Sequence, residues 1–195
     1  LVVFQFAISI TLIVATLVVY NQLSFVRNKS LGWNKEHVVV IERAGTLGDQ
    51  FKTFKEEIRQ LPGVVKAGAS STIPGGIFGQ TAFQAEASAA GENFTMSPMF
   101  ADHDWVEAMG IELAEGRAFS PDFASDSSAF LINEAAARKL GWANEPLGRR
   151  LTLLGDQNNG RGEVIGVTKD WHFASLHRPI DALAIRLADG PLPFL

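Results

Sequence analysis

The chain opens on a run without charge. From Leu1 to Tyr20 (LVVFQFAISITLIVATLVVY), only Gln5, Ser9, Thr11 and Thr16 interrupt the apolar residues, and the first charge is Arg27. A bilayer-spanning helix takes about 20 mainly apolar residues, and Ser and Thr are tolerated there because they bond back to helix carbonyls or face a neighbouring helix. The rival reading is a secretory signal peptide, which has a shorter apolar stretch, basic residues before it and a small-residue cleavage site after it. Tyr20-Asn21-Gln22-Leu23 is a poor cleavage site. The pattern therefore predicts a transmembrane helix over 1–20 and a helical stalk over 21–37, broken at Leu31-Gly32-Trp33-Asn34. Tyr20, Phe25 and Trp33 suit a membrane interface, although they read equally as core aromatics of the following domain. Arg27, Lys29 and Lys35 weigh mildly against an outside location, and the positive-inside rule cannot be applied without the residues that precede Leu1.

Beyond the stalk the periods shorten. Val38 to Ile41 is a β-branched run that predicts a buried strand. Phe51, Phe54, Ile58 and Leu61 share one helical face, with Asp49 as N-cap and Pro62-Gly63 as the stop. Val64 to Ser70 predicts a second strand, so the opening is a β-α-β unit with a helix on one face. Thr72 to Gly79 is a glycine-rich loop. Thr81 to Ala87 and Phe94 to Phe100 predict strands around a small-residue tip, Ser88 to Gly91. Asp102 is placed to cap a short helix from His103 to Met109, closed by Gly110. Ile111 to Leu113 is extended, Glu115-Gly116 turns the chain, and Pro121 to Ser128 reads as a polar, acidic loop. Phe130 to Ile132 is a strand. Asn133 caps a helix from Glu134 to Leu140 that ends at Gly141. Leu151 to Leu154 and Glu163 to Val167 form a hairpin around Gly155 to Gly162, and Ala182 to Leu187 is a last strand.

This order predicts an α+β protein: a transmembrane helix, then an extracytoplasmic domain built on a split β-α-β, ferredoxin-like sheet that is incomplete, with a small α/β subdomain inserted in it. The expected divisions are 1–20 (transmembrane helix), 21–37 (stalk), 38–95 (first part of the sheet-forming subdomain), 96–175 (inserted subdomain) and 176–195 (start of its second part). A split β-α-β sheet needs a second β-α-β. With Leu1 in place of Met and an end at Pro193-Phe194-Leu195, the sequence is read as part of a longer protein.

Charge and composition change this picture little. The 195 residues carry a net charge of −4, with Lys and Arg scattered, so there is no basic stripe and no nucleic-acid binding is expected. The absence of cysteine removes disulfides, zinc–thiolate sites and thiol catalysis. Gly75, Gly76, Gly79 and Thr81 superficially suggest a phosphate loop, but the spacing is wrong and Gln80 stands where a lysine is needed. Asp102, His103 and Asp104 are the densest group of metal-type ligands, yet adjacent helical residues point to different sides. His172 and His177 lack the i, i+4 spacing of a helical pair. Ser70-Ser71-Thr72 has no identifiable histidine partner. Asn28-Lys29-Ser30 and Asn93-Phe94-Thr95 match the glycosylation sequon, a pattern that arises often by chance. No catalytic, cofactor-binding or metal residue is assigned, and no cofactor is expected.

Five segments, in this order, resemble the MacB/FtsX-like permeases of ABC transporters. They are FQFAISITLIVATLVVYNQLSFVRNKSLGWNKEHVVVI, LPGVVKAGASSTIPGG, MGIELAEGRAFS, FLINEAAARKLGW followed by EPLGRRL, and GEVIGVTKDWHFASLHRPIDALAI. The resemblance covers nearly the whole chain. It is to the first membrane helix plus the periplasmic core domain, while the remaining porter half, later membrane helices and ATPase have no counterpart here.

The resemblance implies a non-catalytic permease segment at the bacterial inner membrane, with residues after about 21 on the periplasmic side. It would couple ATP hydrolysis by a cytoplasmic ABC ATPase to movement of the exterior domain, for efflux, export or mechanical signalling. The implied partners are that ATPase, a second permease copy in a dimer, membrane lipid and, at the exterior face, a periplasmic adaptor protein. Two readings from other classes stay beside it: a membrane-anchored extracytoplasmic sensor or ligand-binding module, and a membrane-tethered enzyme, for which no catalytic constellation is recognisable.

Overall fold

The structure, a computed structural model, describes residues 1–86, 88, 92–156, 160–188 and 190–195. The chain divides into two units, Leu1–Ser30 and Leu31–Leu195.

The first unit is one helix, α1, Val2–Asn28, of 27 residues. At 1.5 Å per residue it is about 40 Å long, enough to cross a hydrocarbon core. None of its residues is buried, so no protein packing accounts for its apolar surface. Thr11 and Thr16 donate their hydroxyls to the carbonyls of Ala7 and Leu12, both at 2.8 Å, which removes the cost of a bare hydroxyl in lipid. The expected transmembrane and stalk segments are thus continuous, but the helix stops at Asn28. Lys29 is extended, and 29–43 holds no further helical turn.

In the second unit, the helices are α2 (Phe51–Arg59), α3 (Trp105–Ala108) and α4 (Glu134–Lys139). The strands are β1 (Thr81–Ala85), β2 (Phe94–Ala101), β3 (Leu113–Gly116), β4 (Phe130–Asn133), β5 (Arg150–Leu153), β6 (Arg161–Thr168) and β7 (Leu183–Leu187). They make one sheet ordered β3-β6-β4-β7-β2-β1-β5, and β5 also pairs with β6. Pairing therefore runs β6–β4–β7–β2–β1–β5 and back to β6, a closed ring of six strands, with β3 added on β6. One core draws on all six ring strands, through Phe83, Met96, Ile132, Leu151, Val164 and Ala184, and takes in Ala136 of α4 and Leu140 at its C-cap. A second core joins Met99, Leu131 and Ile185 to Trp105, Phe119 and Trp171. Residues on alternate sides of one strand thus serve two cores, the period-2 rule at work. Two glycines of β6 admit neighbouring backbone that no side chain would allow. A Cβ at Gly162 would lie 1.6 Å from the Ser128 carbonyl oxygen, and one at Gly166 would lie 2.3 Å from that of Arg117.

Several expectations are corrected here. Val38 to Ile41 and Val64 to Ser70 do not form ladder strands, so the opening β-α-β has its helix but no adjacent pair. Each segment instead bonds the end of the chain. Ile41 and Leu195 exchange bonds of 2.7 and 3.1 Å, and Ser70 and Phe194 exchange bonds of 3.0 and 3.2 Å. The last strand, expected to open the second part of the porter-like sheet, is β7, at the centre of the ring between β2 and β4. The expected division at 95/96 falls inside β2. Glu115-Gly116 is not a bare turn, because β3 pairs there with β6. Asp49 does not cap α2; a 3-10 turn, Ala44–Gln50, runs straight into the helix and leaves the cap position to Gln50, which makes no side-chain bond. Asp102 does not cap α3 either, since the helix starts three residues later, at Trp105, and the Asp102 carboxylate holds Lys55. The acidic loop 121–128 contains a 3-10 turn, Ala124–Ser128. Of the expected strand over 81–87, Ala87 lies outside the described residues, as do Ala89 to Gly91 of the small-residue tip and Gln157 to Asn159 of the β5–β6 turn.

Asn133 behaves as expected and does more. Its side-chain oxygen accepts from the Ala136 amide at 2.9 Å, capping α4, and from the Leu183 amide of β7 at 2.9 Å, while its amide group donates to the Asp181 carbonyl at 2.9 Å. The side chain is 1% exposed, so water cannot replace these partners. Asn133→Ala is expected to cost about 2–4 kcal/mol, the sum of a lost cap and buried groups left unpaired. Guanidinium unfolding followed by tryptophan fluorescence measures it, and a loss under about 1 kcal/mol would contradict this role.

Candidate functional site

The residues that suggested chemistry in the sequence are held for structure. In the loop from Thr72 to Gly79, the Gly75 amide donates to the Phe173 carbonyl at 2.8 Å and the Gly76 amide to that of Ile73 at 2.9 Å. A phosphate cradle needs such amides pointing at the ligand; here they are spent on carbonyls. Gln80 donates to Asp181 at 2.6 Å, and Thr81 starts β1.

Asp102 and Asp104 do come together, on a cation of the protein itself. The Lys55 ammonium donates to them at 2.6 and 2.5 Å and is 8% exposed as a residue. It is buried because two carboxylates receive it, which offsets the desolvation of a charge. His172 is tied through its backbone to Leu31 and Trp33, and the His177 amide donates to the Ser175 hydroxyl at 3.4 Å. Ser70 donates to the Thr72 carbonyl at 2.7 Å and Ser71 accepts from the Phe100 amide at 3.0 Å. Asn28 lies in the last turn of α1, donating to Ser24 at 3.2 Å, and Asn93 is exposed just before β2. Among the described residues no group of three or more His, Asp or Glu could hold a metal ion.

The glycine loop is fixed at its base and bare at its tip. Phe78 packs on Phe173 at 4.7 Å between ring centroids, Phe173 on Trp171 at 5.4 Å, and Trp171 on Trp105 at 5.7 Å. Ile77, one residue earlier, is 96% exposed. Near this row lies a groove of about 920 Å³, lined by Val38 to Ile41, by Val64 to Gly68, by Ile58 of α2 and by Leu61 just past its end.

One buried ion pair had no sequence signal. Asp126, in the loop read as polar and acidic, is fully buried. It accepts two bonds from the Arg117 guanidinium, at 2.6 and 2.7 Å, and one from the Ser120 amide at 2.9 Å. Arg117 also sits over the Phe123 ring at 4.1 Å. The Arg117 bonds hold the Asp126 carboxyl below its ordinary value against the opposing effect of burial. A carboxylate with a lowered folded-state pKa contributes stability that is complete above its unfolded value and is lost as pH falls through the folded one. Wild-type stability should therefore fall as pH drops below about 4, and Asp126→Asn should show less of that fall. Parallel acid-unfolding curves check this, and identical curves would contradict it.

A bilayer-length helix that carries no charge from Val2 to Tyr20, followed by a mixed α+β domain, is consistent with a membrane-anchored, domain-bearing protein. Residues 1–187 match the family of the MacB-like periplasmic core domain, and the chain belongs to that family. None of the curated proteins compared matches the chain. The periplasmic region of MacB from Actinobacillus actinomycetemcomitans superposes with a TM-score of 0.52 at 12% identity, over 73% of this chain and 61% of that one. The extracellular domain of the noncanonic ABC-type transporter YknZ from Gram-positive bacteria gives 0.49 at 18% identity, over 70% and 61%. A domain of a Porphyromonas gingivalis protein described as a permease gives 0.48 at 21%, over 75% and 58%. The MacB likeness shows the fold, and the chain spans about three fifths of the length of these solved domains.

Proposed function

We propose that this chain is the first membrane helix and the periplasmic body of a MacB/FtsX-type ABC-transporter permease subunit. One observation supports it above the others: an unpacked apolar helix of 27 residues leads directly into a domain of the MacB-like periplasmic family. In this reading the helix sits in the bacterial inner membrane and the residues after about 21 lie on the periplasmic side. A cytoplasmic ABC ATPase hydrolyses ATP, and the permease carries that motion to the exterior domain, whose strand ring moves as a unit because packed elements shift as rigid bodies. The subunit works beside a second permease copy, in contact with lipid and with a periplasmic adaptor. Its output is efflux, export or mechanical signalling. The porter-like part comprises 38–80 and the residues from about 188 onward, and the ring from β1 to β7 is the inserted subdomain.

Two outcomes test this. Ile13→Arg places a charge near the middle of α1 and should cost about 2.5–3.5 kcal/mol on insertion scales. Membrane fractionation should find less of the variant in the bilayer, and a wild-type chain that fractionates as soluble would contradict the anchor. The purified chain should neither bind nor hydrolyse ATP, because no phosphate loop or magnesium site is evident. In the assembled transporter, changing Gln80 or Thr81 should leave basal hydrolysis largely intact. Leu23→Pro, which costs about 3 kcal/mol in a helix interior, should uncouple hydrolysis from transport. ATP turnover by the isolated chain, abolished by changing Gln80 or Thr81, would overturn the reading.

A further inference from the structure

The segment that leads out of α1 is clasped to the body. Only Lys29 and Ser30 separate the last residue of α1, Asn28, from Leu31, where the second unit begins. Three Cα steps span at most about 11 Å, so little slack lies between the helix and the body. The Leu31 carbonyl accepts from the His172 amide at 2.7 Å, and the Trp33 indole donates to the His172 carbonyl at 3.2 Å. The Asn34 amide donates to the carbonyl of Met109, just past α3, at 2.9 Å. Between them Gly32 holds φ at +79°, and a Cβ there would lie 2.7 Å from the Trp171 Cβ. Only glycine takes that backbone at that distance.

The same strap, 171–173, also holds the glycine loop. His172 spends its amide and carbonyl on Leu31 and Trp33, while the next carbonyl, that of Phe173, accepts from the Gly75 amide at 2.8 Å. Trp171 and Phe173 pack at 5.4 Å, Phe173 meets Phe78 of the loop at 4.7 Å, and Trp171 meets Trp105 of α3 at 5.7 Å. Trp33 and Phe78 both pack on the core to which these rings belong. No hydrogen bond or ring pair joins Trp33 to Phe78 among the described residues, so the strap is their shared neighbour. Trp171 is 1% exposed, and its indole N–H finds no acceptor among the described residues. A buried donor left unpaired raises the energy of the packed arrangement, which brings a second one, with the strap released, within reach.

We propose that residues 31–34 are a releasable clasp that sets the position of the glycine loop, 72–79, through the 171–173 strap. Engaged, the clasp fixes His172 and so presents the Phe173 ring and carbonyl to Phe78 and Gly75. Released, it frees the strap, and the loop loses the ring and the acceptor that hold its base. The coupling is reciprocal, so loosening the loop weakens the clasp. The relay stands on contacts within the second unit. It rests on the transporter reading only for the source of the motion, which would enter the body at Leu31.

The test is a double-mutant cycle in the full chain, held in dodecyl maltoside micelles and unfolded with urea under circular dichroism. Trp33→Phe keeps an aromatic ring and removes the bond to His172, and Phe78→Leu removes the ring pair with Phe173. The relay predicts non-additivity: the unfolding equilibrium constant of the double variant should differ at least about fivefold from the product of the single effects. Trp33→Phe combined with Leu140→Ala, in the other core, should be additive within about twofold. Amide exchange reads the two ends separately. Phe78→Leu should speed exchange at His172 at least about threefold, and Trp33→Phe should do the same at Gly75. Val164, whose amide bonds the Arg149 carbonyl in the ring, should keep its rate in both. Additive effects of Trp33→Phe and Phe78→Leu, equal non-additivity with Leu140→Ala, or equal acceleration at Val164 would overturn the relay. ATP turnover by the isolated chain would overturn the transporter reading and leave the relay standing.

Discussion

Strand β6 is the piece on which the body depends, because it pairs along both edges. Its early residues meet β5 and its later ones meet β4 and β3. Without the β5–β6 contact the sheet would run open from β3 to β5, with β5 as a free edge. With it, six strands close on themselves. A register shift opposite Phe130 and Leu131 lets β6 bend, while Gly162 and Gly166 admit the Ser128 and Arg117 backbone against it. Loss of either glycine would force apart segments that sit within van der Waals contact.

The interior follows from that closure. Short strands of four and five residues bury little alone, but a ring seals the side chains on its inner face, and α4 covers them through Asn133, which ties helix, β4 and β7 together. Outside the ring, two charge sites do structural work that resembles functional chemistry in sequence: Lys55 between Asp102 and Asp104, and Asp126 under Arg117. Both gather carboxylates, and in both the cation is the protein's own.

Local chemistry was readable where one residue type dominates the local energy. Asn133 before Glu-Ala-Ala-Ala, with Gly141 behind, announces a capped helix, and the alternation in 151–154 and 163–167 announces a hairpin. The charge-free run of Leu1 to Tyr20 announces its helix by length alone. What failed was non-local. Val38 to Ile41 has the composition of a buried strand, but the residues it bonds are over 150 positions away. The central place of β7 depends on pairings with β2 and β4 that no local pattern encodes. Asp126 lies in a stretch of Ser and Asp that reads as polar and acidic, and only the fold brings Arg117 beneath it. The site reading had the same limit: single residues could be dismissed one at a time, while the groove needs 38–41, 64–68 and 194–195 at once. The family was legible because five short segments in fixed order carry more information than any one of them.

The central claim is that α1 crosses the membrane and the strand ring lies outside the cytoplasm. The chain has no cysteine, so a single one reports its own location. Asn144 is exposed in the turn before β5, and Asn144→Cys in the intact transporter can be treated with a membrane-impermeant maleimide in spheroplasts. The account predicts full labelling with the inner membrane intact and no increase on lysis. Labelling only after lysis would place the ring in the cytoplasm and contradict it.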